Sequence, residues 1–330
     1  MKLAIVIINW NGVELLKKFL PKLIKHSKNN SIYIIDNNSS DESVDYVKEY
    51  FPIVKLIVNS KNYSYAKGYN IGLKQIKEEL YCLINNDIEV TKGWIDPILD
   101  QFKANKFLTV AQPKILDYNN KDKFEHAGAC GGYIDYFGYP FCRGRIFNSI
   151  EKDNGQYDYD SDIFWASGAC FFIKSKVFHE LGGFDENFHN HMEEIDLCWR
   201  ISKKNNKLQK KFIHSSTVYH IGGASLNYDN PEKIFYNIRN HKWMMIKNSS
   251  EYQTNPIIKI YIFVITIFYA FYLLLSFRFD FFKAVFKAVF SKRNETIKYS
   301  SSKNKIKYHY RKSIITDYLM FCRRKFSQLK

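Results

Sequence analysis

Residues 83–90 read "LINNDIEV". The apolar run that leads into them, "LYCLIN" from Leu80, stops at Asn85, Asn86 and Asp87. A strand that ends on two amides and a carboxylate has two readings. One is a turn, because Asn and Asp bond their own main chain and accept tight backbone geometry. The other is a metal or phosphate site at the strand's C-terminal edge. The neighbours of this stretch decide between them.

The same grammar recurs upstream. "LAIVII" (residues 3–8) is an apolar β-type run closed by "NWNG" and followed by "VELLKKFLPKLIKH" with helical spacing. "SIYIID" ends at Asp36 in "DNNSSDES", and "SVDYVKEYF" reads as a helix. "VKLIVN" is a third strand, and "SYAKGYNIGLKQIK" is a loop running into a helix. Strands alternating with helices through residue 90 predict a parallel sheet with helices on both faces. Apolar strands without alternation fit a sheet buried on both sides. Ligands of such sheets sit beyond the carboxyl ends of the strands. "NWN", "DNNSSD" and "NND" are therefore expected on one edge, where a nucleotide would bind. Neither GxGxxG nor GxxxxGK[ST] is present, so side chains would have to replace a glycine cradle.

From about residue 110 the alternation breaks down. "EHAGACGGYIDYFGYPFCRGRIF" is rich in Gly and aromatics and reads as loops. "IFWASGACFFIKSKVFHELGGFDENF" holds an apolar strand, a helix and a Gly-Gly stop. "HMEEIDLCWRISKKNN" reads as a helix with acids in its first turn and Lys near its end, the arrangement the helix dipole favours. "STVYHIGGAS" is a short strand with His220 at its end.

The chain has 330 residues, 46% of them apolar, which suits one large domain plus an appendage or two domains and excludes a disordered or fibrous chain. Six scattered cysteines without a CxxC pair, and no secretory apolar segment at the start, argue for reduced thiols over a disulfide framework or zinc module. The net charge is +16, and residues 278–330 carry +12 of it. No RRM, KH or helix-turn-helix pattern accompanies that charge, so a nucleic-acid partner is not expected.

Taken in order, "VIINWNG", "IIDNNSSDES", "NYSYAKGYNIGL", "LINNDIEV", "ASGACFFIKSKVFHELGGFDENF", "MEEIDLCWR" and "VYHIGGAS" resemble family 2 glycosyltransferases of the GT-A fold. The resemblance covers about residues 3–245 and is nearest to the bacterial, rhamnosyltransferase-like branch. It implies an α/β fold, Rossmann-like, with a mostly parallel sheet flanked by helices. It implies transfer of a sugar from a nucleotide-diphosphate donor, UDP- or dTDP-linked, to a glycan or lipid-linked acceptor in cell-surface polysaccharide synthesis. It also implies a divalent cation, Mn²⁺ or Mg²⁺, which neutralises charge building on the diphosphate.

The resemblance assigns roles residue by residue. Asp87 stands where the family's "DxD"-type carboxylate stands, although here the motif is "NND" with one acid. His220 resembles a late metal or diphosphate ligand, with a structural His as the alternative. Asp36 and Asn37 match the base-recognition corner, with a turn or cap as the alternative for Asp36. Trp10 is either a stacking partner for base or ribose or a core aromatic. Asp41 is a helix N-cap or a nucleotide contact, and Asn86 falls on the nucleotide side. Glu194 occupies the place of the second acid of "EDxDL", the general base that takes the acceptor's proton. Glu193 belongs to the acceptor side or, with Asp196 and Arg200, to a helix-surface charge cluster. Trp165, Gly168 and Asp185 match the acceptor-side segment. Gly168 is expected to allow close backbone approach, and Asp185 is a turn residue or a sugar contact. A non-catalytic sugar-nucleotide-binding scaffold is the alternative to an enzyme.

Residues 260–277, "IYIFVITIFYAFYLLLSF", carry no charge over 18 positions, the lower edge of a membrane span. "FRFDFFKAVFKAVFSKR" follows with an apolar side and Lys283 and Lys287 four apart, which suits a helix on an anionic bilayer. The alternative is a helix buried against the body. The expected division is 1–250 catalytic, 251–295 hydrophobic and membrane-associated, and 296–330 a basic tail, with 296–312 marginally ordered. The expected location is the cytoplasmic face of the inner membrane, peripheral or single-pass.

Overall fold

The computed structural model describes residues 1–222, 230–292 and 310–329. The N-terminal elements follow the expected order: β1 (Leu3–Asn9), α1 (Val13–His26), β2 (Ser31–Asp36), α2 (Ser43–Tyr50), β3 (Lys55–Val58), α3 (Tyr65–Leu73) and β4 (Leu80–Asn85). β5 (Ile88–Val90), α4 (Asp96–Ala104) and β6 (Leu108–Asp117) continue the chain. β1 pairs in parallel with β2 and β4, and β2 with β3. All of β1 is buried or nearly so, because both faces of the sheet are covered. Leu3, Ile5 and Ile7 join one apolar cluster with Leu16, Leu20 and Leu23 of α1, whereas Ala4 and Val6 join the other with Tyr69 of α3. The period-2 alternation of the strand thus feeds two cores.

Beyond β6 the structure departs from the expected loops. β7 (Gly132–Ile134), β8 (Pro140–Cys142), β9 (Arg145–Ile146) and β10 (Ser149–Ile150) form a second, four-stranded antiparallel sheet. Strands of two or three residues are too short to show a period, which is why the sequence reads as loop. β11 (Ser161–Asp162), β12 (Cys170–Lys174), α5 (Ser175–Glu180), α6 (Glu193–Lys204) and β13 (Gln209–His220) complete the main body. The large sheet runs β11-β13-β6-β12-β4-β1-β2-β3, with β5 on β13. Among its long strands β12 alone is reversed, antiparallel to both β4 and β6. β13 is not short: it runs 12 residues beside β6 with two register shifts.

α7 (Pro231–Asn248), α8 (Ser250–Thr254), α9 (Pro256–Leu275) and α10 (Phe279–Val289) follow. One face of α9 packs inward through Ile258, Ile262, Ala270 and Leu273. The other face leaves Ile260, Phe263, Phe268, Phe271, Tyr272 and Leu275 exposed. Of the stretch 296–312, only 310–312 lie among the described residues. α11 (Ile314–Leu319) returns to the body: Ile314 is buried and its N–H donates to Asp135 Oδ2 at 2.9 Å. Asp135 also accepts from the N–H groups of Phe137 (2.9 Å) and Tyr139 (2.8 Å).

Candidate active site

The ends of β1, β2 and β4 are tied by one polar chain. Asn86 Nδ2 donates to Asn9 Oδ1 (2.9 Å), and Asn9 Nδ2 donates to Asp36 Oδ1 (3.2 Å). Asp36 also accepts from Ser39 N (2.8 Å) and Ser39 Oγ (2.6 Å). Asn37 Oδ1 accepts from Asn59 (3.0 Å), and its amide donates to Asn62 Oδ1 and Tyr63 O. Asp36 and Asn37 are both buried, so the corner is built before any ligand arrives. A Cβ at Gly12 would fall 2.4 Å from Asn86 Nδ2 and 2.5 Å from Asn9 Oδ1, so only glycine fits there. Trp10, at the same edge, is 56% exposed, which corrects the core-aromatic alternative. Asp41 accepts from Val13 N and Ser43 N, both at 3.0 Å, and so clips the starts of α1 and α2 together.

Asp87 lies between β4 and β5, and His220 closes β13. The register pairs His220 with Ile88 on one side and Asp117 on the other. His220 Nε2 is 3.0 Å from Asp87 Oδ1, and His220 Nδ1 is 3.3 Å from Glu125 Oε1. All three are buried. Burial alone would lower the His220 pKa, but the Glu125 and Asp87 carboxylates overcome it and raise it to about 10. The Nε2 of His220 and Oδ1 of Asp87 are the nitrogen and oxygen that a divalent cation would take here. Asp87 and His220 can hold such an ion by one oxygen and one nitrogen, with Glu125 fixing the imidazole from behind. No group of three or more metal-ligating side chains occurs among the described residues. Glu125 sits in the Gly-rich stretch read as loop, and its sequence carries no signal of this role.

Glu193 and Glu194 open α6. The two residues before it, His191 (φ 69°) and Met192 (φ 76°), are both left-handed, a strained entry for non-glycine residues. Buried Asn240 of α7 holds that turn by donating to Asn190 O (2.9 Å) and His191 O (2.8 Å). Oε2 of Glu193, Oε2 of Glu194 and Nε2 of His191 are buried without a hydrogen-bond partner. Burial raises the Glu194 pKa to about 7, against backbone N–H groups that lower it, one of them from Gly168. Burial and the neighbouring Glu194 push Glu193 well above the carboxylate range. A carboxyl group near 7 is matched to proton abstraction at neutral pH. Tyr65 Oη donates to Gly168 O at 2.9 Å, and Asn85 N donates to Ala169 O at 2.9 Å. The 168–169 backbone therefore links Glu194 to the strand end that carries Asp87.

Three expectations are corrected. An added Cβ at Gly168 would meet Tyr65 Oη at 3.5 Å and Glu194 Oε1 at 3.8 Å, ordinary contacts that require no glycine. Trp165 is a core aromatic: it is buried, lies on Gly132, and its Nε1 donates to Tyr133 O at 2.8 Å. Asp185 keeps its turn reading, since its Oδ1 accepts from Asn187 N (3.0 Å) and Nδ2 (2.8 Å), while Lys247 Nζ lies 2.7 Å from its Oδ2 and 2.9 Å from Asp196. Asp196 and Arg200 do pair, at 2.7 Å, but Asp196 is fully buried, so the expected helix-surface cluster is an internal network without Glu193.

The model for glycosyl transferase family 2 matches residues 4–182. The chain is 23% identical over 218 residues to an N-acetylglucosaminyl-diphospho-decaprenol L-rhamnosyltransferase of Mycobacterium tuberculosis, covering 61% of this chain and 70% of that one. It is 23% identical over 226 residues to the O-antigen biosynthesis protein RfbC of Myxococcus xanthus, covering 66% of this chain but 17% of RfbC. In fold it is similar to GalNAc-T7 solved with UDP, GalNAc and Mn²⁺, with a TM-score of 0.59 and 16% identity over 77% of this chain and 49% of that one.

Proposed function

Since the chain belongs to glycosyl transferase family 2, we propose that it transfers a sugar from a nucleotide-diphosphate donor to a glycan or lipid-linked acceptor, with inversion, in cell-surface polysaccharide synthesis. The observation that carries this reading is the placement of the Asp87–His220 pair and Glu194 at the two ends of one backbone link. A UDP- or dTDP-linked donor is favoured, and the GalNAc-T7 complex with UDP supports it. Exposed Trp10 receives the base, while Asn9, Asn37, Asn86 and Asp36 hold the corner in shape. Asp87 and His220 hold a divalent cation, which supplies charge neutralisation at the diphosphate.

Glu194 takes the acceptor hydroxyl's proton as the hydroxyl oxygen attacks the anomeric carbon. The bond from that carbon to the phosphate oxygen breaks on the opposite side, and its electron pair leaves with the diphosphate. One such displacement inverts the centre. Burial and the neighbouring Glu194 raise the pKa of Glu193, which stands beside the base.

α9 and α10 extend the proposal to location. The outer face of α9 presents Phe268 at 69% and Leu275 at 78% exposure, while its inner face is packed on the protein. A helix held along one side in this way suits lying on a bilayer more than crossing it. Lys283 and Lys287 of α10 favour anionic headgroups. In this reading residues 1–250 are the catalytic domain and 251–295 the membrane-facing part.

The test is turnover of a panel of UDP-, dTDP- and GDP-sugars by the full chain, with Mn²⁺ and with excess EDTA. Cation-dependent release of one nucleoside diphosphate is expected. Turnover that EDTA leaves untouched would remove the cation, and turnover of none of the donors would remove the enzyme.

A further inference from the structure

Gly168 stands between the two halves of the candidate site, and three elements hold the backbone around it. On its N-terminal side Ser167 N donates to Oε1 of buried Gln112, in β6, at 2.8 Å. On its C-terminal side Ala169 O accepts from Asn85 N of β4 at 2.9 Å, and Ala169 N donates to Ser167 Oγ at 3.2 Å. Gly168 itself lies outside the ladder, because β12 begins two residues later at Cys170. Its carbonyl accepts from a side chain instead: Tyr65 Oη, at the start of α3, donates to it at 2.9 Å.

The same glycine touches Glu194. A Cβ built on Gly168 would lie 3.5 Å from Tyr65 Oη and 3.8 Å from both Cδ and Oε1 of Glu194. Phenol and carboxylate thus converge on this one residue. The Gly168 N–H also helps to hold the Glu194 pKa down against burial. A glycine backbone turns more freely than any other, so its orientation depends on what fixes it.

Tyr65 is suited to fix it. Its ring stands edge-on to Tyr69 at 4.9 Å and against Phe184 at 6.0 Å. The chain before it is tied to the nucleotide corner, where Asn37 Nδ2 donates to Asn62 Oδ1 at 3.1 Å and to Tyr63 O. Ser64 then caps α3 by accepting from Lys67 N. Burial, with Tyr69 and the two glutamates nearby, pushes the Tyr65 phenol well above its ordinary value. It therefore keeps its proton, and remains a donor, wherever a carboxylate titrates. A phenylalanine would make the same ring contacts, so packing alone does not call for the hydroxyl.

We propose that Tyr65 is a positioning residue for the base: its hydroxyl fixes Gly168, and Gly168 in turn aims its N–H at the Glu194 carboxylate. The proposal rests on the reading of Glu194 as the base and adds the group that sets that carboxylate in place. Tyr65 acts through Gly168 and not on the substrate. α3 then serves both halves of the site, with its entry held by Asn37 and its first residue holding the glycine beside Glu194.

The test is a pH titration of the full chain labelled with carbon-13 at the glutamate carboxyl, in which the signal lost in Glu194→Gln identifies Glu194. Tyr65→Phe keeps the ring and removes the hydroxyl. It is expected to raise the Glu194 midpoint by about half a pH unit, a roughly threefold change in the ionisation ratio. Mn²⁺-dependent hydrolysis of the UDP-, dTDP- and GDP-sugar panel should then fall about threefold at about pH 6 and stay near the wild-type rate at about pH 8.5. Tyr81→Phe removes another buried hydroxyl, one that donates to Ile76 O at 2.7 Å, and should move neither the midpoint nor the rates. An unmoved midpoint in Tyr65→Phe, or a rate lowered equally at both pH values, overturns the proposal while the catalytic reading stands. Wild-type hydrolysis that does not follow the Glu194 midpoint overturns the base assignment, and the proposal with it.

Discussion

The edge of the large sheet and the outer face of α9 answer the same problem, exposed chemistry, in opposite ways. At the sheet edge almost every polar atom is committed. Asn86, Asn9, Asp36 and Ser39 form one chain, and Asp87, His220 and Glu125 another, all at positions that backbone pairing dictates. On the outer face of α9 the apolar side chains are exposed among the described residues. The first region is organised in advance, which a reaction needs. The second is left unfinished, which a bilayer can complete. Among the buried atoms left without a hydrogen-bond partner are Oε2 of Glu193, Oε2 of Glu194 and Nε2 of His191, all at the start of α6.

The largest effect that would sharpen this contrast is on the base. Glu194→Gln should lower kcat for sugar transfer on the order of 10²–10⁴-fold, with the donor KM held, in steady-state assays. Because Glu194 must be ionised to accept a proton and its pKa is raised to about 7, the wild-type rate should fall as pH drops below 7. The same raised pKa means the folded state binds the extra proton. Its contribution to stability is present below the unfolded value near 4.5 and lost as pH rises through about 7. Glu194→Gln should remove that part of the pH dependence of the urea midpoint.

Next comes the outer face. Phe268→Ser with Phe271→Ser removes two exposed rings, each worth up to about 1.5–3 kcal/mol when buried. Binding to anionic vesicles should weaken on the order of 10²-fold in co-sedimentation, and donor hydrolysis in solution should stay as in wild type. Loss of both together would erase the distinction between the two regions.

Smaller effects probe the supports. Glu125→Gln should weaken the apparent Mn²⁺ affinity in donor hydrolysis by about 10–100-fold, read as a rise in the Mn²⁺ midpoint. An unchanged midpoint would make Glu125 a packing residue. Asn240→Ala leaves two carbonyls of the 190–191 turn unbonded and should cost about 1–3 kcal/mol of stability by urea unfolding. Its kcat should drop as well, since the strained entry to α6 loses its brace.

Much of the site is legible because it lies at punctuation. Asp36, Asp87 and Glu194 each follow an abrupt change, from an apolar strand to polar residues or from a loop to a helix start, and such changes are local. Glu125 is invisible for the converse reason. Nothing near it in sequence is periodic, and it meets His220 only because β6 and β13 lie side by side. Trp165 shows the opposite error. Its residue type suits a sugar site, yet neighbours distant in sequence, Tyr133 and Gly132, claim it first.

The sequence by itself determined the order of strands and helices through β4, the shared edge of the polar clusters and the apolar character of 260–277. Those follow from local periodicity and hydropathy, which act within a few residues. The tertiary structure alone decided that β12 runs against its neighbours, that His220 faces both Asp87 and Glu125, and that Tyr65 Oη reaches Gly168 O. These depend on which distant surfaces exclude water from each other, and burial is a property of the whole fold, not of any one stretch.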